Sequence, residues 1–174
     1  MRLTVGAAVP SISIASIHGK PIRVPHAEAR YVHLQFQRFA GCPACNFRLL
    51  TLSKRLPEIQ AAGIHEVAVF HSSVEEMMKY QAQLPFDCVA DPTKLLYRDY
   101  GVEAAWFALL HPSVLWGGFR GILATGKFYK RAENGIFGLP ADFLIRPNGQ
   151  IAAVHYGTHA YDNWDVDALL QLAA

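Results

Sequence analysis

No stretch of this 174-residue sequence approaches the roughly eighteen consecutive apolar residues that a membrane-spanning helix needs. Pro10 also interrupts the N-terminal stretch before the apolar core of a secretory leader, about seven to fifteen residues, can form. A protein without span or leader, residing in the cytoplasm, is expected. An excess of one charge sign is missing too. Sixteen Lys and Arg face fourteen Asp and Glu, a formal charge of +2, which is too even a balance to suggest nucleic acid as a partner. Charged residues are only 17% of the chain against 52% hydrophobic ones, which excludes disorder and predicts a packed core. No internal repeat, low-complexity tract or linker breaks the chain, so residues 1–174 are expected to form a single domain. Cysteine is scarce, with three in all. Two of them form C-x-x-C, which in a reducing compartment reads as redox or metal chemistry before it reads as a structural staple.

What is present is a clear alternation of strand and helix signals. Ser11 to Arg23 predicts a hairpin, with "ISIAS" and "PIRV" around the turn "IHGK". "YVHLQF" has strand composition and runs directly into "QRFAGCPACN". From Pro43 the apolar positions Cys45, Leu49, Leu52, Leu56 and Ile59 follow helical spacing up to Gly63, with a kink expected at Pro57. A strand over "HEVAVF", a helix over "SSVEEMMKYQAQL" capped by Ser72 or Ser73, and a short strand over "FDCVAD" follow. Then come a helix from Pro92 to Gly101, a long segment from Val102 to Gly138, and two strands joined at Pro147-Asn148-Gly149. A last helix is expected in "NWDVDALLQLA" with Asn163 as its cap. Strands that alternate with helices place helices on both faces of a mixed sheet whose last two strands are antiparallel. Cys42 then stands at the carboxyl end of a central strand, where open α/β sheets carry their ligands.

Chemistry favours redox use of the pair. A cysteine at a helix start meets unpaired N–H groups and the positive end of the helix dipole, and both favour thiolate over thiol. Such sites bring a cysteine pKa from about 8.5 into the range of roughly 3.5 to 7.5. Cys42 is therefore the expected nucleophile, and Cys45, one turn later on the same face, the expected resolving thiol. Two plainer readings stand beside this one: both cysteines as core filling, or two of four ligands to zinc or copper in a metal carrier, with His155 and His159 as candidates for the remainder. Cys88 lies in a strand pattern and is expected to be a buried core residue.

The chain also resembles the thioredoxin-fold superfamily, in the branch of the peroxiredoxin-like alkyl hydroperoxide reductase and thiol-specific antioxidant proteins. "VGAAVPSISIASIHGKPIRV", "LQFQRFAGCPACN", "VADPTKLLYRDYGV" and "GLPADFLIRPNGQIAAVHYG" carry the resemblance over nearly the whole length. It implies a three-layer α/β/α sandwich with an N-terminal β-hairpin and an insertion, about residues 102–138, before the final hairpin. It further implies a dithiol redox enzyme without cofactor or metal. Electrons would come from a thioredoxin- or glutaredoxin-like dithiol protein, and the substrate would be a disulfide or a hydroperoxide.

Departures from the family pattern decide between those substrates. The peroxidase threonine is replaced by Phe39 and the peroxidase arginine by Pro140. "GLP" resembles instead the Gly-x-Pro of disulfide reductases, whose proline is cis and faces the cysteines. Pro140 is thus a candidate substrate-binding residue, and thiol-disulfide exchange is the leading expectation over thiol peroxidase. Gly41 and Phe36 stand where thioredoxins carry an aromatic and a buried acid. Asp142, an acid in an apolar strand, and Arg38, close before the loop, are therefore the candidates to tune the cysteines. The insertion is aromatic and basic. Packing on the sheet is the default for it, with a homodimer contact, a wall over the cysteines or a membrane surface as alternatives.

Overall fold

The computed structural model describes residues 1–103, 116, 119, 120, 122, 123 and 132–174. Two strands, β1 (Ile12–Ala15) and β2 (Pro21–Val24), pair antiparallel with Ile12 opposite Val24. The main sheet has five strands: β3 (Tyr31–Phe36), β4 (Ile64–Phe70), β5 (Asp87–Ala90), β6 (Ala141–Ile145) and β7 (Ile151–Tyr156). Their spatial order is β5-β4-β3-β6-β7, with β3, β4 and β5 parallel and β6 and β7 antiparallel to their neighbours. The central strand is therefore β3, and its carboxyl end delivers the chain to Cys42. The turn between β6 and β7 closes through Gly149 N–H donating to Arg146 O at 2.9 Å. Gly149 has φ +83°, a conformation that costs glycine nothing and other residues roughly 1 kcal/mol or more.

Two cores flank the sheet. On one face Leu34, Phe36, Val67, Val69, Phe143 and Ile145 pack with Ile12, Ile22 and Val24 of the hairpin and with Tyr97 and Tyr100. Phe36 is fully buried at the centre of this face, with its ring 5.0 Å from Tyr97 and 5.7 Å from Phe143, both edge-on. On the other face lie α1 (Pro43–Lys54), α2 (Leu56–Ala61), α3 (Val74–Met78) and the C-terminal helix. Their contributions include Cys45, Leu49, Leu52, Ile59, Met77, Val166 and Leu169. That C-terminal helix is α5 (Val166–Ala173), and α4 (Leu95–Asp99) follows β5. This is the thioredoxin-like α/β/α arrangement that the resemblance implies.

Boundaries differ from expectation where a side chain is drawn into a tertiary contact. Pro57 does break the first helix: α1 ends at Lys54, and α2 restarts with the proline in its first turn, where its missing N–H costs nothing. The helix capped by Ser73 stops at Met78 rather than continuing to Leu84, and Gln81 is buried, donating to Ala40 O and Asn46 Oδ1. Pro92 does not start α4; the Asp91 carboxylate accepts from the N–H groups of Leu95 and Leu96 and caps it three residues later. Asn163 does not cap the last helix either. Asp165 accepts from Ala168 N–H at 2.8 Å, while the Asn163 amide turns inward to Asp142. Among the described residues no helix is long and apolar enough to cross a membrane.

Candidate active site

Cys42 is the N-cap of α1, with extended backbone angles, and its Sγ accepts from Cys45 N–H at 3.4 Å. Sulfur here takes the place that a Ser or Asp oxygen usually fills at a helix start. Pro43 follows at the first helical position, so the orphan donors left facing the sulfur are those of Ala44 and Cys45. The loop before it is held from three sides. Ala40 N–H donates to Ser72 Oγ at 3.0 Å, and Ala40 O receives the Asn46 and Gln81 amides, each at 2.8 Å. Asn46 also reaches Cys42 O at 3.0 Å, so the turn carrying the sulfur is fixed by its own helix and by the chain after β4.

Arg38 supplies the charge. Its Nη1 lies 3.5 Å from Cys42 Sγ, its Nη2 donates to Ile136 O, and the guanidinium rests over the Phe39 ring at 5.4 Å. It is only 4% exposed, so the cation is not a solvated surface group. Burial pushes the Cys42 thiol up, but the Cys45 side chain, Arg38 and the Cys45 and Ala44 amides outweigh it and bring the pKa down to about 6. Cys45 goes the other way: burial, its hydrogen bond to Cys42 and the negative charge on Cys42 hold its thiol well above the ordinary range. One sulfur is set as an anion and its neighbour as the acid that hydrogen-bonds to it. Both are buried, at 1% and 4% exposure.

The other sequence candidates are placed differently. The expected cis bond at Pro140 is absent: among the described residues the only cis peptide is Val24–Pro25. Pro140 is buried, and its carbonyl accepts from Gly157 N–H at 2.9 Å. The preceding Leu139 N–H is bonded to Glu103 O at 3.1 Å, so it is not offered to a substrate chain. The β6–β7 pairing continues past Ala141 and takes up Pro140 O, while Glu103, just after α4, takes up Leu139 N–H. Asp142 is fully buried but does not serve the cysteines. It accepts from His33 Nε2 at 3.1 Å, Asn163 Nδ2 at 3.0 Å, Trp164 N–H at 3.1 Å and, at 3.4 Å, Arg48 Nη2. Burial raises its pKa, but Arg48 and His33 hold it below the usual carboxylate value.

His33 is the hub of that network. Its Nδ1 bonds Glu66 at 2.8 Å, and Gln35 and Gln37 extend the chain, Gln37 Nε2 donating to Gln35 Oε1 and Gln35 Nε2 to Glu66 Oε2. Burial lowers the His33 pKa, yet Glu66 and Asp142 raise it more, to about 9, so the imidazole is a cation between two carboxylates. Periodicity in "YVHLQF" puts His33 and Gln35 on one face. The partners that make burial of that face tolerable come from β4 and β6, which no local pattern shows.

His155 bonds Asp162 at 2.9 Å, and Tyr161 N–H donates to His159 Nδ1 at 3.3 Å, so neither completes a ligand set with the cysteines. Among the described residues no group of three or more His, Cys, Asp or Glu is placed to hold a metal. Cys88 is a core residue at 2% exposure, and burial with Asp87 nearby pushes its thiol up to about 12. A cavity of about 650 Å³ lies at the amino ends of β4 and β5, lined by His18, His26, His65 and Asp87 among others, at the opposite end of the sheet from Cys42. The expectations for the insertion fall largely outside the described residues. Within them Trp116, Phe119 and Leu123 are exposed, and Arg120 sits over the Phe47 ring of α1 at 4.8 Å.

A family model described as AhpC/TSA antioxidant enzyme matches residues 51–159, more than half of the chain. The match begins after Cys45, so it covers most of the scaffold and leaves the cysteine pair just outside. Among solved structures, peroxidoxin BcpB from Mycobacterium tuberculosis is 15% identical with a TM-score of 0.72, covering 99% of this chain and 97% of its own. A protein described as thiol:disulfide interchange protein DsbE from Chlorobium tepidum is 20% identical with a TM-score of 0.65, covering 99% of each chain. Peroxiredoxin Q from Xanthomonas campestris is 17% identical with a TM-score of 0.66, covering 93% of this chain and 89% of its own. At these identities the likeness is one of fold. No curated protein matches.

Proposed function

Because the chain belongs to the AhpC/TSA antioxidant enzyme family, we propose that Cys42 and Cys45 are its redox pair and that it catalyses thiol-disulfide exchange. The observation that carries the reading is the environment of one atom. Cys42 Sγ caps α1, accepts from Cys45 N–H at 3.4 Å and sits 3.5 Å from a buried guanidinium. At neutral pH that sulfur is a thiolate, and thiolate is the attacking species in disulfide exchange.

Atoms and electrons balance over two steps. Cys42 Sγ forms a bond to one sulfur of the substrate disulfide, and the electron pair of the broken S–S bond leaves on the other sulfur, which takes a proton from solvent. Cys45 then attacks Cys42 Sγ and expels the second substrate sulfur, which takes up through solvent the proton that Cys45 loses, leaving the Cys42–Cys45 disulfide. A dithiol protein resets the pair with two electrons. A hydroperoxide is the alternative substrate: Cys42 attacks its terminal oxygen, the O–O bond breaks and the other oxygen leaves as alcohol or water with a proton from solvent, and Cys45 condenses with the sulfenic acid on Cys42 and releases water. Membership in the family and likeness to the peroxiredoxins favour that route. Phe39 in place of a hydroxyl residue, 3% exposed beneath Arg38, favours the disulfide.

Both sulfurs are buried, so a substrate reaches them only when neighbouring chain yields. The test offers reduced protein a hydrogen or alkyl hydroperoxide in one arm and a protein disulfide such as insulin in the other, with Cys42→Ser as the control. Turnover of the disulfide that is lost in Cys42→Ser supports the reading. Fast oxidation of Cys42 by peroxide, with no disulfide turnover, replaces it with the peroxidase.

A further inference from the structure

A run of hydrogen bonds starts and ends on Arg38. Its carbonyl accepts from His71 N–H at 3.4 Å, and His71 O receives the Asn134 side-chain amide at 2.8 Å. Two residues after Asn134, the carbonyl of Ile136 accepts from Arg38 Nη2 and so closes the circuit. Nη1 is left facing Cys42 Sγ at 3.5 Å. Beyond the Phe39 ring beneath it, little else directs this guanidinium. Nε has no hydrogen-bond partner, and among the described residues no carboxylate pairs with it. The positions outside the described residues hold neither Asp nor Glu. A buried cation is costly to keep without polar partners, so the placement of Ile136 O decides where the charge of Arg38 points.

The segment from Glu133 to Gly138 is fastened to the loops that follow β4 and β5. The Glu133 carboxylate accepts from Ser73 N–H at 2.7 Å and from Ser73 Oγ at 3.1 Å, and Lys94 Nζ donates to Asn134 O at 2.8 Å. Asn134 joins the two loops. Its one amide group donates both to His71 O and, at 2.9 Å, to Pro92 O. Its backbone has φ +56° and the next residue, Gly135, φ +90°. Asparagine enters that left-handed region at low cost and brings two side-chain donors with it. Farther along, a Cβ built on Gly138 would fall 3.7 Å from Arg38 Cγ. The segment therefore lies against the arginine at its stem as well as at its tip.

We propose that Asn134 is a positioning residue of the Cys42 site: by clamping the Asn134-Gly135 turn to His71 O and Pro92 O, it fixes Ile136 O where that carbonyl turns the Arg38 guanidinium toward the sulfur. This rests on the reading of Cys42 as nucleophile. Asn134 touches neither the sulfur nor a substrate, and it acts through the arginine alone. A charge-assisted contact weakens with distance and misalignment, so a guanidinium released by Ile136 O no longer stabilises the thiolate to the same degree.

The test uses the full-length reduced protein and reads the pH dependence of iodoacetamide alkylation at Cys42. Asn134→Gly removes the amide while keeping a residue suited to the positive φ. It should raise the titration midpoint by about half a unit to one unit, which slows alkylation near pH 5.5 roughly three- to eightfold. In an Arg38→Met background the same substitution should add nothing, because the two act in series. Asn134→Ser, whose single short donor cannot hold both carbonyls, should move the midpoint the same way and serves if Asn134→Gly does not fold. An unmoved midpoint in the folded variant overturns the proposal, and a lowered urea midpoint beside it marks Asn134 as merely structural. A shift of equal size in the Arg38→Met background overturns it as well. Failure of the underlying reading is seen elsewhere: Cys42→Ser would turn over a disulfide as fast as the parent, whatever Asn134→Gly does to the titration.

Discussion

Replacing Arg38 by Met removes the guanidinium that, among the described residues, contacts Cys42 and leaves a chain of similar length. At 3.5 Å two unit charges in a medium of effective dielectric about 20 interact by about 5 kcal/mol. The guanidinium spreads its charge over three nitrogens and only Nη1 faces the sulfur, so roughly 2 kcal/mol is the working share of that total. At about 1.4 kcal/mol per pKa unit the Cys42 thiol moves from about 6 to about 7.5. At neutral pH the thiolate fraction then falls from roughly nine-tenths to roughly a quarter. The assay is the pH dependence of iodoacetamide alkylation of Cys42, read by mass spectrometry beside the ultraviolet absorbance of the thiolate. Parent and variant should differ about fourfold near pH 7 and converge above about pH 9, where both are ionised. Arg38→Lys, which keeps the charge, should fall between them. An unmoved titration in Arg38→Met would refute the reasoning and assign the thiolate to the Cys45 side chain and the helix end.

Cys45→Ser should accumulate a mixed disulfide at Cys42 when offered a disulfide substrate, visible as an added mass that the parent protein does not retain. His33 carries a folded-state pKa of about 9 against about 6.5 in an unfolded chain. Its raised value contributes stability that is fully present below about pH 6.5, amounts to roughly 3 kcal/mol, and is lost as the pH rises through about 9. Urea unfolding of Cys42→Ser should show that decline, and His33→Gln in the same background should flatten it. The Cys42→Ser background removes a contribution of opposite sign, since the depressed thiol pKa stabilises at high pH and loses that effect as the pH falls through about 6. Cys88 should resist alkylation at neutral pH in the folded protein and react only after denaturation, because its thiol is buried and pushed up to about 12.

The parts of this protein that could be read in its sequence are those fixed by neighbours along the chain. The step from "YVHLQF" to Cys-Pro-x-Cys is local, so β3, the capped start of α1 and the placement of Cys42 follow from strand composition, a proline at the first helical position and helical spacing. The break at Pro57 and the hairpin at Pro147-Asn148-Gly149 are local in the same sense. What could not be read depends on residues far apart. α3 is short, and Gln81 beyond it supports Ala40 O, 41 positions earlier. Asp142 could be singled out as an acid needing partners, but those partners, His33 and Arg48, lie 109 and 94 positions away. Arg38 was visible as a candidate because it precedes the loop by a few residues.

The most direct test is a redox titration of the native protein with glutathione buffers, followed by acid trapping and peptide mapping. A two-electron transition that joins Cys42 to Cys45, leaves Cys88 free and disappears in either single serine variant is the result expected. Recovery of both thiols unmodified across the whole range of potentials, while the fold stays intact, would contradict the claim that this pair stores and transfers electrons.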